Sequence, residues 1–160
     1  MSLTLYAHPF AAYCWKPLIA LYENATPFTF RFVENMADIE SLWPIKKFPL
    51  LRDGDATIVE SSIIIEHLML RHPGPTRLIP EGIEAALNVR FMDRFFDNYV
   101  MSPMQTLVSD RLRTGIAIGD RFAGVLTYRA LVLARPSVTR VVDEARPFRK
   151  FFPQGAPDRD

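Results

Sequence analysis

Lys47-Phe48-Pro49-Leu50-Leu51-Arg52-Asp53-Gly54-Asp55-Ala56-Thr57-Ile58-Val59-Glu60-Ser61-Ser62 is the stretch from which the architecture of this chain is most directly read. Proline opens a short apolar run, Phe48 to Leu51, which reads as a strand. Asp53-Gly54-Asp55 has the composition of a tight turn, and Thr57 to Val59 reads as the returning strand. An acid, Glu60, stands directly before two serines of the kind that cap helices, and the apolar residues Ile63, Ile64, Ile65, Leu68 and Met69 then follow with the stripe of a helix packed on one side. The order is therefore strand, hairpin, strand, acid, helix start.

Upstream, Leu3 to Tyr6 is a short apolar run ended by His8-Pro9, which suits a buried first strand. Trp15, Leu18, Ile19 and Tyr22 recur at steps of three and four and predict a helix over 12–24 with one buried face. Pro17 lies inside that helix, where it removes a hydrogen bond, so a late start or a kink is expected. Phe28, Phe30 and Phe32 alternate with Thr29 and Arg31 as in a half-buried strand. A short helix is expected over 36–42. The series β, α, β, α, β, β, α predicts a four-stranded sheet, with its first two strands parallel through a crossover helix and its last two a hairpin.

Downstream, His72-Pro73-Gly74-Pro75-Thr76 reads as a linker, after which no strand pattern recurs. Leu87, Phe91 and Phe95 fall at four-residue steps beside Met92, Phe96 and Tyr99, predicting a long aromatic helix over 83–100. It is first a packing surface, on which Tyr99 and Met104 are the candidates to face an apolar co-substrate. Further helices are expected over 105–113, 120–133 and 137–145, followed by an irregular tail whose aromatic residues lie back on the body.

Composition sets outer bounds. The 160 residues are 49% apolar, enough for a core. Lys plus Arg numbers 19 against 18 Asp plus Glu, so there is no basic footprint for nucleic acid. No window approaches a membrane span, and the first residues lack a basic head followed by an apolar run, so a cytoplasmic, soluble protein with no membrane partner is expected. The single cysteine, Cys14, has no internal disulfide partner. His8, His67 and His72 lie far from any cysteine ligand pattern and read as surface or packing residues, so no metal is expected.

Three local patterns together resemble the cytosolic glutathione transferases, in particular bacterial, zeta and theta-like members. They are Phe48-Pro49 opening the third strand, Glu60-Ser61 leading into Ser62-Ile63-Ile64-Ile65-Glu66-His67-Leu68, and Tyr13-Cys14-Trp15-Lys16 running into Leu18-Ile19-Ala20-Leu21-Tyr22-Glu23. The resemblance implies an α/β thioredoxin-like N-terminal domain, βαβ plus ββα, over 1–79. A smaller all-α C-terminal domain with an irregular tail follows over 80–160. It also implies a cis peptide before Pro49, which would free the backbone of Phe48 to pair with the cysteinyl unit of glutathione as a short added strand. Ser61 at a helix N-terminus would meet the glutamyl carboxylate, Glu60 the glutamyl amino group, and Lys47 the glycine end. Glutathione as co-substrate, a small electrophile as second substrate, a homodimer and a role in detoxification come with the same resemblance. Read without it, Pro49 is an edge-strand proline and the serines are caps.

Two departures from the family pattern bear on activity. Members resembling this chain place a serine or cysteine at the start of the first helix to stabilise the thiolate, whereas this chain has Ala11 and Ala12, which offer no hydrogen bond. Three side chains stand near that corner: Tyr6, Tyr13 and Cys14. Tyr6 otherwise reads as core packing and Cys14 as a small buried hydrophobe. The second departure is length. Two or more central helices are expected to be missing, and Gly119-Asp120-Arg121-Phe122 holds only part of the family's capping motif, so Phe91, Phe95 and Leu107 are expected to lie uncovered. The function implied is conjugation of glutathione to electrophiles. The alternatives are a non-catalytic glutathione-binding or scaffold protein, and thiol-disulfide exchange through Cys14.

Overall fold

The computed structural model describes residues 2–106, 127 and 130–151. The helices expected over 105–113 and 120–133 fall largely outside these residues. So do the shortened central region, the Gly119-Asp120-Arg121-Phe122 motif and Leu107. The elements are β1 (Leu3–Ala7), α1 (Ala12–Glu23), β2 (Phe28–Phe32), α2 (Ala37–Glu40), β3 (Leu50–Asp53), β4 (Ala56–Val59), α3 (Ser61–Arg71), α4 (Ile83–Phe95) and α5 (Pro136–Ala145). Two compact units are formed, Met1–Leu78 with Pro136–Phe148, and Ile79–Arg135 with Arg149–Asp160.

The first unit is a thioredoxin-like α/β domain built on a four-stranded mixed sheet of order β2-β1-β3-β4. β1 and β2 are parallel through α1, as a crossover requires, and β3 runs antiparallel to both β1 and β4. The hairpin turns on Gly54-Asp55, where Gly54 takes a φ of 58°. Strand alternation sorts the core onto two faces. Leu3, Leu5, Ala7 and Leu51 bury against Cys14, Leu18 and Leu21 of α1 and Ile64 and Leu68 of α3. Leu50 lies on the opposite face with Val33 and Ile39, beside Tyr6 and Trp43. Each fully buried leucine here contributes about 2–3 kcal/mol relative to exposure.

α1 begins at Ala12 and continues through Pro17, which is buried inside it, so the expected late start is not seen. The fully buried residues of α1 are Cys14, Pro17, Leu18, Ala20 and Leu21; Trp15, Ile19 and Tyr22 pack at the margin of the same core. α5 accounts for that margin, because Val141 joins the α1 core from outside and Ser137 Oγ donates to Glu23 Oε1 at 2.6 Å. Tyr22 donates its hydroxyl proton to Glu144, and Arg140 lies over the Tyr22 ring at 3.9 Å. A division of the chain at 79/80 assigns α5 to the second half, yet it groups with the first unit through these contacts. Phe148, just beyond α5, packs on Phe32 with ring centroids 5.2 Å apart, in a 3₁₀ turn over Arg146–Phe151, and the rest of the expected tail lies outside the described residues.

The Pro-Gly-Pro segment is tied down more firmly than a linker. Thr76 N–H donates to Asn24 Oδ1 at 2.8 Å, its hydroxyl reaches the Glu23 carbonyl, and Leu78 N–H points at Met69 Sδ at 3.4 Å. In the second unit, α4 continues into a π-helical turn over Phe96–Met101 and α-helix resumes over 102–106, so the long aromatic helix is present with a wider turn inside it. Phe95 meets Phe91, Phe96 and Tyr99 with ring centroids 5.5–6.2 Å apart. Of the residues expected to lie uncovered, Phe91 and Phe95 are exposed; Leu87 and Tyr99 are exposed as well, and Ala86 is the buried residue of α4.

Candidate functional site

One row of paired residues, Arg31, Tyr6, Leu50 and Val59, crosses the sheet from β2 to β4. Because β3 alone runs against the others, the chain just beyond this row is the exit of β1, β2 and β4 and the entry of β3. His8 to Ala12, Phe48-Pro49 and Glu60-Ser61 therefore gather at one sheet edge, and α1 and α3 both start there.

The Phe48–Pro49 peptide is cis. Pro49 is buried and Phe48 half-buried, its ring stacked on His8 with centroids 5.9 Å apart and planes within 16°. His8 Nδ1 accepts the Phe10 N–H at 3.2 Å, and burial lowers the imidazole pKa, so this histidine is a neutral packing group at the corner. Glu60 has φ 68° and ψ 122°, a sparsely populated region for a side chain larger than hydrogen. That conformation turns the chain sharply into α3, and the Glu60 carbonyl accepts the Ile64 N–H at 2.9 Å.

The serines do not cap this helix. α3 starts at Ser61 itself, with Glu60 in the capping position and no side-chain cap bond. A sharp reversal at Glu60 places both serines within the first turn, where their hydroxyls are past the capping position. Ser61 is buried, and Ser62 Oγ accepts from Lys16 Nζ at 3.3 Å, tying α3 to α1. Lys47 and Glu60 are exposed, and neither forms an ion pair or side-chain hydrogen bond among the described residues. Lys46, in contrast, is occupied by Glu40 at 2.7 Å. The edge thus offers a free carboxylate beside first-turn N–H groups at the positive end of an eleven-residue helix. Such a pair is complementary to a ligand carrying an ammonium and a carboxylate side by side.

Residues 5–76 match the family model described as glutathione S-transferase, N-terminal domain. Over these residues the chain is similar to the N-terminal domain of glutathione S-transferases. It is 30% identical over 95 residues to human glutathione S-transferase theta-1, covering 56% of this chain and 40% of that protein, so the chain spans well under half of this relative. Among solved structures, a glutathione transferase homolog from Burkholderia with bound glutathione superposes with a TM-score of 0.71 at 22% identity, over 91% of this chain and 98% of the other. One from Sulfitobacter, also with bound glutathione, gives 0.66 at 18% identity over 89% and 98%. At these identities the two structures establish the shared fold.

In this transferase fold the three side chains singled out near the first helix fall into different settings. Ala11 is the capping residue of α1 and makes no side-chain cap bond, so the helix start offers only backbone. Tyr6 is half-buried on the Leu50 face of the sheet, with Arg31 5.4 Å from its ring centre, and its hydroxyl makes no hydrogen bond among the described residues. Tyr13 is half-buried in the first turn of α1 and is engaged by a neighbour. Cys14 is wholly buried in the main core, and burial pushes its thiol pKa up to about 12, only partly opposed by a hydrogen bond from the His8 backbone. A thiol so placed is protonated and out of reach at neutral pH, which removes the geometric basis for exchange through Cys14.

Two features of the first unit went unseen in the sequence. One is a cavity of about 380 Å³ between α1, β2 and α5, lined by Trp15, Tyr22, Phe28, Phe30, Arg140 and Phe148. Its walls come from residues more than a hundred positions apart, so no local pattern announces it. The other is a meeting of Asp53, His67 and His72, whose separations in sequence match no common ligand spacing. Among the described residues no helix is long and apolar enough to cross a membrane.

Proposed function

We propose that this chain binds glutathione at the sheet edge formed by Lys47, Phe48, Pro49, Glu60 and Ser61, and transfers its thiolate to small electrophiles. The observation that carries this reading is the Leu50–Val59 pairing, which sets Phe48-Pro49 and Glu60-Ser61 beside each other at the start of α3. Glu60 receives the glutamyl ammonium, the first turn of α3 at Ser61 receives the glutamyl carboxylate, Phe48 pairs its backbone with the cysteinyl unit, and Lys47 meets the glycine carboxylate. The thiolate attacks the electrophilic carbon, the leaving group departs with its electron pair, and the thiol proton passes to solvent. Tyr6 is the preferred hydrogen-bond donor to the sulfur, because its hydroxyl makes no hydrogen bond among the described residues and it belongs to the row that frames the edge. The division into a glutathione-binding domain over 1–79 and a smaller helical domain over 80–160, from which α5 groups with the first unit, belongs to the same reading, as do a homodimer, a cytoplasmic setting and a part in detoxification.

A second reading, glutathione binding without turnover, is favoured by one specific observation: α1 opens on Ala11 and Ala12 with no side-chain cap. Calorimetric titration with glutathione tests what both readings share, and conjugation of an aryl halide at neutral pH separates them. Heat of binding with turnover supports the transferase, and heat without turnover supports the binder. No heat at millimolar glutathione from the folded chain overturns both.

A further inference from the structure

Asp53, His67 and His72 lie at the opposite end of the sheet from the glutathione edge. Asp53 closes β3 and pairs with Leu3 at the start of β1, three residues along the ladder from the Tyr6–Leu50 pair, or roughly 10 Å away. His67 belongs to α3. His72 follows five residues later, a separation that would set the two rings on different helical faces if the helix continued. It does not continue: His72 is the C-terminal cap of α3, with φ −132° and ψ 56°, and the chain swings its ring back toward the same point. His67 Nε2 and His72 Nε2 approach one oxygen, Asp53 Oδ2, at 2.9 and 2.7 Å. One donor atom from each of the three side chains falls within 4.8 Å of the others.

We propose that these three side chains form a binding site for a divalent ion of the zinc class, with Asp53, His67 Nε2 and His72 Nε2 as ligands and water completing the shell. Two imidazole nitrogens and one carboxylate are a borderline N₂O donor set, which suits Zn²⁺, Co²⁺, Ni²⁺ or Cu²⁺ rather than Mg²⁺ or Ca²⁺. Tetrahedral ligation at ordinary bond lengths separates ligand atoms by about 3.4 Å, so the cluster need open by only roughly half an ångström to admit the ion. The remaining oxygen, Asp53 Oδ1, is buried and has no hydrogen-bond partner in the structure described, a costly state for a carboxylate that a cation relieves. Both imidazoles keep about a fifth to a quarter of their surface in solvent, so an ion reaches them without unfolding. Occupation would pin the end of the β3–β4 hairpin to the end of α3. The site draws on none of the residues assigned to glutathione and stands whether or not that assignment holds.

The test uses the full chain without a histidine tag, stripped with a chelator and titrated with Co²⁺ while the visible d–d absorption is followed, with Zn²⁺ as competitor. A saturable one-to-one band displaced by Zn²⁺ is expected, together with a rise in melting temperature in micromolar Zn²⁺. His67→Gln and His72→Gln should each weaken Co²⁺ binding at least roughly tenfold. Asp53→Asn should do the same, and if it fails to fold the two histidine variants carry the comparison. Absence of both the band and the Zn²⁺-dependent shift in the parent chain overturns the site, as does a signal that survives both histidine substitutions.

Discussion

Leu50 and Val59 are direct cross-strand partners, and the residues that step outward from them, Pro49 on one strand and Glu60 on the other, share one edge of the sheet. Glu60 takes a strained backbone there and leaves its carboxylate unpaired among the described residues. A charge-assisted hydrogen bond to a ligand ammonium contributes about 1.5–3 kcal/mol, so Glu60→Gln should weaken glutathione roughly 10- to 150-fold by calorimetry. Its urea midpoint should hardly move, since the native carboxylate has no structural partner to lose. Glu60→Gly should bind equally weakly while matching or exceeding the parent in stability, because glycine accepts φ 68° without the cost of about 1–3 kcal/mol borne by a side chain. Unchanged affinity in Glu60→Gln would remove this residue from the site.

Tyr6→Phe separates binding from sulfur activation. The ring packs on the Leu50 cluster and stays in place, while the hydroxyl, which makes no hydrogen bond among the described residues, is lost. Conjugation should fall about 10²-fold or more in kcat if this hydroxyl steadies the thiolate, with the calorimetric affinity for glutathione within a factor of about three. The thiol of bound glutathione should titrate at higher pH in the variant, read by thiolate absorbance in the near ultraviolet. Full activity in Tyr6→Phe would return the role to the α1 backbone or to Tyr13.

The sheet was legible because each of its signals was local: a proline at the head of β3, a glycine in a two-residue turn, alternating phenylalanines in β2, and three- and four-residue steps in α1 and α3. The sheet edge proposed for glutathione was legible for the same reason, since it is built from two short segments flanking one hairpin. Signals went unread where distant segments compete. α5 lies far from α1 in sequence, yet Glu144 and Arg140 close on Tyr22 and place α5 with the first unit. The capping role expected of Ser61 and Ser62 gave way to the reversal at Glu60, a backbone state that composition does not encode. His67 and His72 meet only because the helix ends between them and Asp53 arrives from another strand.

Gly74 supplies a stability test away from the site. A Cβ built there falls 2.4 Å from the Cβ of Asn24, whose side chain is buried and accepts the Thr76 N–H at 2.8 Å. Gly74→Ala must push the Pro-Gly-Pro segment off α1 and break that bond, at a cost of about 1–3 kcal/mol in urea unfolding. Asn24→Ala removes the same bond, so the double variant should lose less than the sum of the two. Additive losses would mean that the two residues act separately.

Cys14 permits a chemical test whose outcome bears on the exchange reading. The thiol is buried among Leu5, Leu18 and Leu21 and ionises only near pH 12, so a disulfide reagent at pH 8 should leave the native chain unmodified and react fully once urea unfolds it. Treatment with glutathione disulfide should likewise give no adduct by mass spectrometry. The native pKa is raised above the unfolded value near 9.0, so the folded state binds the proton more tightly, and stability falls as pH climbs from 9 toward 12. At pH 10.5 that loss is about 2 kcal/mol relative to pH 8, and it should be absent from Cys14→Ala, measured by urea unfolding of both chains at the two pH values. Stoichiometric modification of the folded parent at pH 8, or identical pH dependence in the two chains, would show that the thiol is reachable and that exchange chemistry is open to it.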